Sequence, residues 1–238
     1  QKKALPGALK HYEVAEGLLD AGTHPGAWAL LQVHWGAVME ADARSRKDVA
    51  AMQAAIERYR TVTETLSRDA NGYDWASAQV RRAMALYKLA SMVPEKTATH
   101  LKASASAFEE ALTVYDRNAM PHRWAEIMNH YGVTQMALGG YGSRNAMLQQ
   151  SIATFRTVLE IRKRDQQPEQ WAQTINNLGA ACFALAKRTK EEHLLEEAAR
   201  CFQGAGKNYR KIPGNKKRVQ VIANNLARVR AMLDTESD

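Results

Sequence analysis

The sequence contains no run of about 18 apolar residues, the length needed to cross a bilayer as a helix, so no membrane-spanning helix is expected. Its opening, Gln1-Lys2-Lys3-Ala4-Leu5-Pro6, lacks the apolar stretch of a signal peptide. It also lacks an initiator Met, as a segment excised from a longer protein would. Cysteine is scarce. Cys182 and Cys201 in 238 residues make no disulfide framework. Both are expected to be small buried apolar residues in a reduced, cytoplasmic setting. Proline is rare, with six in the chain, which leaves long stretches open to helix. The motifs G-x-x-x-x-G-K-S/T, G-x-G-x-x-G and H-E-x-x-H are all missing. The seven histidines are scattered, without metal-ligand spacing. The glycine-rich Gly139-Gly140-Tyr141-Gly142 has no Lys-Ser/Thr sequel and reads as a loop. Neither catalysis, nor a metal, nor a cofactor is expected.

What is present is helix-forming and repetitive. Hydrophobic residues make up 45% of the chain, enough to build a core. Ala, Leu, Glu, Gln, Lys and Arg dominate, and these residues favour helix. The net charge of +8 is uneven. Residues 1–119 carry 15 Lys/Arg against 14 Asp/Glu, whereas residues 120–238 carry 18 against 11. An acidic partner is therefore better matched to the C-terminal half.

Internal repeats decide the fold. Trp-Ala recurs at Trp28, Trp75, Trp124 and Trp171, at spacings of 47, 49 and 47 residues. Pro25, Pro121 and Pro168 stand three residues ahead of three of these, a position suited to the first turn of a helix. Sixteen residues before each Trp lies an aromatic: Tyr12, Tyr59, Phe108 and Phe155, and Phe202 continues the series. A small residue precedes each aromatic by four: Ala8, Ala55, Ser104, Ser151 and Ala198. A small or β-branched one follows by three. These positions share one helix face, so each ring enters a gap between two closely approaching helices. Eight residues after each Trp comes Gly36, Ala83, Gly132 or Gly179, a small slot where a neighbouring helix can cross. Ala227 fills that slot in a fifth copy, in which Val219 replaces Trp.

The pattern predicts an all-α fold of about ten helices, a solenoid of antiparallel helix pairs over residues 1–238. A leading helix is expected over about 4–21. Pairs follow at about 25–41/45–68, 72–91/95–118, 121–138/144–165 and 168–187/191–212, then a closing helix at about 215–234. No linker is long enough to divide the chain into independent domains. Arg68, Arg117, Arg164 and Lys211, nine residues after an aromatic, are expected near helix C-termini, where a cation complements the dipole. Arg162-Lys163-Arg164 and Lys216-Lys217-Arg218 are alternatively read as parts of an anion-binding surface.

These residues resemble the tetratricopeptide-repeat (TPR) family. The small slot in the first helix and the Ala-x3-Phe-x2-Ala stripe in the second match its packing. The Trp-Ala-x4-Asn-Leu-Gly form, clearest from Trp171 to Gly179, is similar to long-helix TPRs of bacterial multidomain proteins. In those, arrays accompany caspase-like peptidases, NTPases or signalling domains. The Asn-Asn-Leu core is similar to the cargo-binding repeats of kinesin light chain. The resemblance implies a right-handed superhelix with its concave face lined by the first helix of each pair.

On that face, five residues after the Trp slot, stand Val33, Val80, Asn129, Asn176 and Asn224. Three Asn at one repeat position form a ladder, and each offers a donor and an acceptor. In the resembling families, Asn at this slot holds the backbone of an extended peptide. The alternative is that these Asn bridge neighbouring helices. His130, Asn177 and Asn225 follow them and share either role. One turn earlier lie Glu126 and Gln173. Further along come Arg228, then Met136 and Phe183. The expected function is a non-catalytic scaffold binding a peptide or helix of another protein, an acidic one by charge. A regulatory or assembly arm that contacts its own larger protein or a second copy is the alternative. Nucleic-acid binding by the basic half ranks last, because Glu191, Glu192, Glu196 and Glu197 neutralise part of its charge.

Overall fold

The structure is a computed structural model that describes residues 5–142 and 144–236. Among these there are ten α-helices, one 3-10 turn and no strand. The helices are α1 (Leu5–Glu16), α2 (Pro25–Arg46), α3 (Val49–Thr65), α4 (Gly72–Met92), α5 (Thr97–Leu112), α6 (Pro121–Gly140), α7 (Asn145–Ile161), α8 (Pro168–Thr189), α9 (Glu192–Tyr209) and α10 (Lys216–Glu236), with the 3-10 turn at Pro94–Lys96. The chain forms two compact units, Gln1–Ala119 and Met120–Asp238. Within each, every helix packs on the helices before and after it in the chain, the packing order of a helical solenoid. No helix among the described residues is long and apolar enough to cross a membrane.

Each pair is organised by the predicted small-slot contact. Tyr59, Phe108, Phe155 and Phe202 are at most 1% exposed. Gly36 lies so near the Tyr59 ring that an added Cβ would fall 2.6 Å from it. At Gly132 the corresponding distance to Phe155 is 2.7 Å. At Gly179, Cys201 and Phe202 share the space, at 2.9 and 3.2 Å. Where the small residue before the aromatic is Ser, its hydroxyl uses the closeness. Ser104 donates to the carbonyl of Ala83 and Ser151 to that of Gly132, both at 2.8 Å. Such a bond satisfies a buried hydroxyl that would otherwise cost about 1–3 kcal/mol.

The first unit keeps its buried carboxylate, Glu40, paired. The Tyr59 hydroxyl donates to Glu40 at 3.1 Å, and Lys88 pairs with the same carboxylate. Burial, with Glu40 beside it, raises the Tyr59 pKa. Arg58 joins Glu16 and Gln32 and lies 3.5 Å from the centroid of Trp35, which stacks on Tyr12. This cluster ties α1 to α2 and α3.

Several helix ends differ from expectation. α1 stops at Glu16, because the Asp20 carboxylate accepts the N–H groups of Gly22 and Thr23 at 2.9 and 3.0 Å and closes a turn. α5 stops at Leu112, where Thr113 donates to the Glu110 carbonyl and Asp116 accepts from Asn118 and Ala119. Leu66 and Arg162 are extended and end α3 and α7. Arg68, Arg117 and Arg164 therefore stand past their helices, and Lys211 lies beyond α9. The dipole effect fades within the last turn, so it does not account for these cations. Arg68 instead donates to Thr113, and the Arg164 guanidinium sits 5.2 Å from the Trp171 centroid.

Both cysteines are buried and free. Burial and the nearby Glu197 carboxylate raise both thiol pKa values, that of Cys201 to about 12. Two outcomes are expected. Neither thiol reacts with a disulfide reagent at pH about 8 until the chain unfolds. The native state holds these protons more tightly than the unfolded chain, so the thiol contribution to stability is complete below the ordinary value near 9 and is lost as pH rises toward about 12. A second prediction concerns the slot. Gly132→Ala gains about 1 kcal/mol of helix propensity but crowds Phe155, at about 1–3 kcal/mol. Urea unfolding is expected to show a net loss of stability, and a net gain would remove the close-contact account.

Candidate functional site

The candidate site lies in the second unit, on the first helices of its pairs, α6, α8 and α10. The predicted Asn ladder occupies three different environments. Asn129 on α6 is 2% exposed, and its Oδ1 accepts from the Thr174 hydroxyl at 3.1 Å and the Asn177 amide at 3.4 Å, both on α8. Asn176 is half-buried, and its Oδ1 is buried with no hydrogen-bond partner among the described residues. Asn224 on α10 is exposed and accepts from Gln220 one turn away at 3.0 Å. Val33 and Val80, in the same slot of the first unit, are buried. The slot thus meets the next first helix at Asn129, whose partners stand on α8, and is exposed at Asn224 on α10. At Asn129 the helix-bridging alternative holds. Asn225 is half-buried.

Three other predicted residues come together. Glu126 and His130 on α6 and Gln173 on α8 line one open cleft of about 560 Å³ with His122, Arg123, Arg162, Gln167 and Gln170. Glu126 is paired with Arg123 at 2.8 Å. Gln167 Nε2 and His122 Nδ1 stand 2.6 Å apart and join the starts of the two helices. Pro121 and Pro168 open these helices, and the first-turn N–H groups there have no intrahelical acceptor. The residues that line the cleft all carry polar side chains and mix donors with acceptors.

Phe183, Met136 and Arg228 lie apart from it. Phe183 is buried, and its ring receives two cations, Arg228 at 5.4 Å and Lys187 at 5.7 Å from the centroid, within the range of cation–π attraction. Met136 is half-buried against the core. A second hollow, of about 580 Å³, runs between α9 and α10 and is lined by Phe202, Ile222 and Leu226, with Lys207, Arg210 and Arg230 at its edge.

Arg162 departs from the alternative reading of Arg162-Lys163-Arg164 as part of an anion-binding surface, because it turns inward and is 4% exposed. Its Nη1 donates to Thr174 Oγ1 at 2.9 Å and to the Gln170 carbonyl at 3.4 Å. Burial pulls its pKa below the usual arginine value. The second basic triplet is also divided, since Arg218 pairs with Glu169 at 2.7 Å. Neither triplet is a continuous patch. The available signal was the break in the repeat: Thr174 stands in a slot that holds Ala78, Ile127 and Ile222 in other copies, all buried.

Compared with known proteins, the chain matches no protein-family model, and no curated protein matches its sequence.

The ladder's unequal burial sets a prediction. Asn129→Ala removes a buried acceptor and is expected to cost about 1–3 kcal/mol in chemical denaturation. Asn224→Ala, at an exposed position, is expected to stay within about 0.5 kcal/mol of wild type. Equal losses at both would contradict the two environments described.

Proposed function

We propose that this chain is a non-catalytic, TPR-like protein-interaction scaffold, acting in the cytoplasm, that binds a peptide or helix of a partner protein along the first helices of its second unit. The observation that carries this reading is the cleft between α6 and α8, where Glu126 and Gln173, at matched repeat positions, converge with His130. Its lining suits an extended backbone: the side-chain amides of Gln167, Gln170 and Gln173 can each donate and accept. Excess positive charge in residues 120–238 favours an acidic segment, mainly by speeding encounter.

The role expected of the Asn ladder is narrower in this proposal. Asn129 shapes the wall of the cleft by bridging α6 to α8, and ligand contact falls to the residues that line the opening. Non-specific attraction to nucleic acid has weaker support, because Arg162 is buried and Arg218 is paired.

The test is a paired capture from the lysate of the source organism. His130→Ala/Gln173→Lys changes the cleft lining at a half-buried and an exposed position, and circular dichroism is expected to match wild type. A partner retained by wild type and weakened at least about tenfold in the variant, about 1.4 kcal/mol, supports the reading. A partner held equally by both places binding elsewhere and overturns it.

A further inference from the structure

The slot seven residues after the second-helix aromatic holds Leu19, Leu66, Tyr115, Arg162 and Tyr209. Leu66, Tyr115 and Tyr209 are buried, as the apolar pattern requires. Arg162 is buried equally deeply, at 4% exposed, and is the one charged residue of the series. A guanidinium taken from water is unfavourable without a counter-charge. No ion pair is made: among the described residues no carboxylate is in salt-bridge contact with Arg162, and only through space does the charge of Glu126 act on it. Glu126, which lines the same cleft, is engaged by Arg123. The neutral acceptors Thr174 Oγ1 and the Gln170 carbonyl both take their bonds from Nη1. Nε and Nη2, the two donors along the side of the guanidinium, bond to nothing described, and Arg162 forms part of the cleft wall. In the first unit the buried carboxylate Glu40 is paired with Lys88.

We propose that the α6–α8 cleft is a carboxylate-binding site, in which Arg162 holds the two oxygens of the ligand side-on through Nε and Nη2. Two parallel N–H donors on a rigid plane match the two oxygens of a carboxylate. The formal charges in the cleft, Arg162 and Arg123 against Glu126, leave one positive charge. That balances a monoanion, and Glu126 disfavours the higher charge of a phosphate. The first turns of α6 and α8 add positive ends of helix dipoles beside the cleft. Its volume falls within the range of about 300–1,000 Å³ common for ligand sites. The neutral amides of Gln167, Gln170 and Gln173 would engage the backbone that carries the acid. The ligand is thus an acidic side chain or C-terminus of a peptide, an assignment that rests on the peptide-binding reading above.

The test follows the side-chain Nε–H resonance of Arg162 in the isotope-labelled full chain during titration with acetate, with hexaglutamate and with inorganic phosphate. Sodium chloride at matched ionic strength is the control. The expected result is a saturable shift with acetate beyond that of chloride, and saturation by hexaglutamate at a concentration at least about tenfold lower. Arg162→Leu, which places in this slot the residue found at Leu66, is expected to fold with an unchanged or raised Tm and to lose binding of both. Acetate acting no differently from chloride would overturn the site, as would phosphate binding more tightly than acetate. Hexaglutamate binding that survives Arg162→Leu would also overturn it. Saturation by acetate with no response to hexaglutamate would keep the carboxylate site and overturn only the peptide source.

Discussion

Every pair in this chain depends on how closely its two helices approach at one point. A bulky ring on the second helix needs a missing side chain on the first, and the slot residue supplies it. Gly36 and Gly132 meet Tyr59 and Phe155 with less space than one Cβ would occupy, and at Gly179 Cys201, beside Phe202, leaves as little. Ala83 serves the remaining pair, and there Ser104 bonds directly to its carbonyl. A Gly in the middle of a helix costs about 1 kcal/mol of propensity, whereas a fully buried Phe contributes about 1.5–3 kcal/mol. Burial outweighs propensity, and the contact fixes how each second helix lies on its first. Once that is set, the first helices of neighbouring pairs come side by side, as α6 and α8 do, and a cleft opens between their starts.

The same register explains which polar groups are tolerated inside. Tyr59 differs from the three Phe residues of its series by a hydroxyl, and that hydroxyl has Glu40 as its acceptor. Serine replaces alanine in the small stripe only where a carbonyl lies within 2.8 Å. Asn129 replaces the valine of earlier copies and bonds Thr174 and Asn177. Each of these exchanges swaps an apolar contact for a satisfied hydrogen bond. Arg162 breaks that rule, because it brings a whole charge into an apolar slot and receives only neutral acceptors. Of the two buried charged residues among the described ones, Glu40 has an ion-pair partner and Arg162, in the wall of an open cleft, has none.

Much of the fold was legible because repetition reinforces a weak signal. Five registers at the same spacing placed the helices, the buried rings and the small slots. Helix ends were less legible, since they are set by single side-chain bonds such as those of Asp20 and Asp116, which no periodicity announces. The candidate site was partly legible. Glu126, His130 and Gln173 were singled out as a face and do meet in space. The Asn ladder reads as one row because the sequence gives no measure of cover, although Asn129 is shielded by α8 and Asn224 is exposed. Arg162 was hidden by its neighbours: next to Lys163 and Arg164 it read as part of a charged surface. Only alignment with Leu66, Tyr115 and Tyr209 reveals it as an intruder in a core position.

In the function proposed, the starts of α6 and α8 form the recognition surface. Hydrogen–deuterium exchange of the chain with and without its captured partner tests this most directly, since it reads protection along the whole backbone. Protection is predicted at residues 121–130 and 168–177, with the faces of α7 and α9 away from the cleft unchanged. Protection confined to α7 and α9, with the two first-helix starts exchanging as in the unbound chain, would contradict the account.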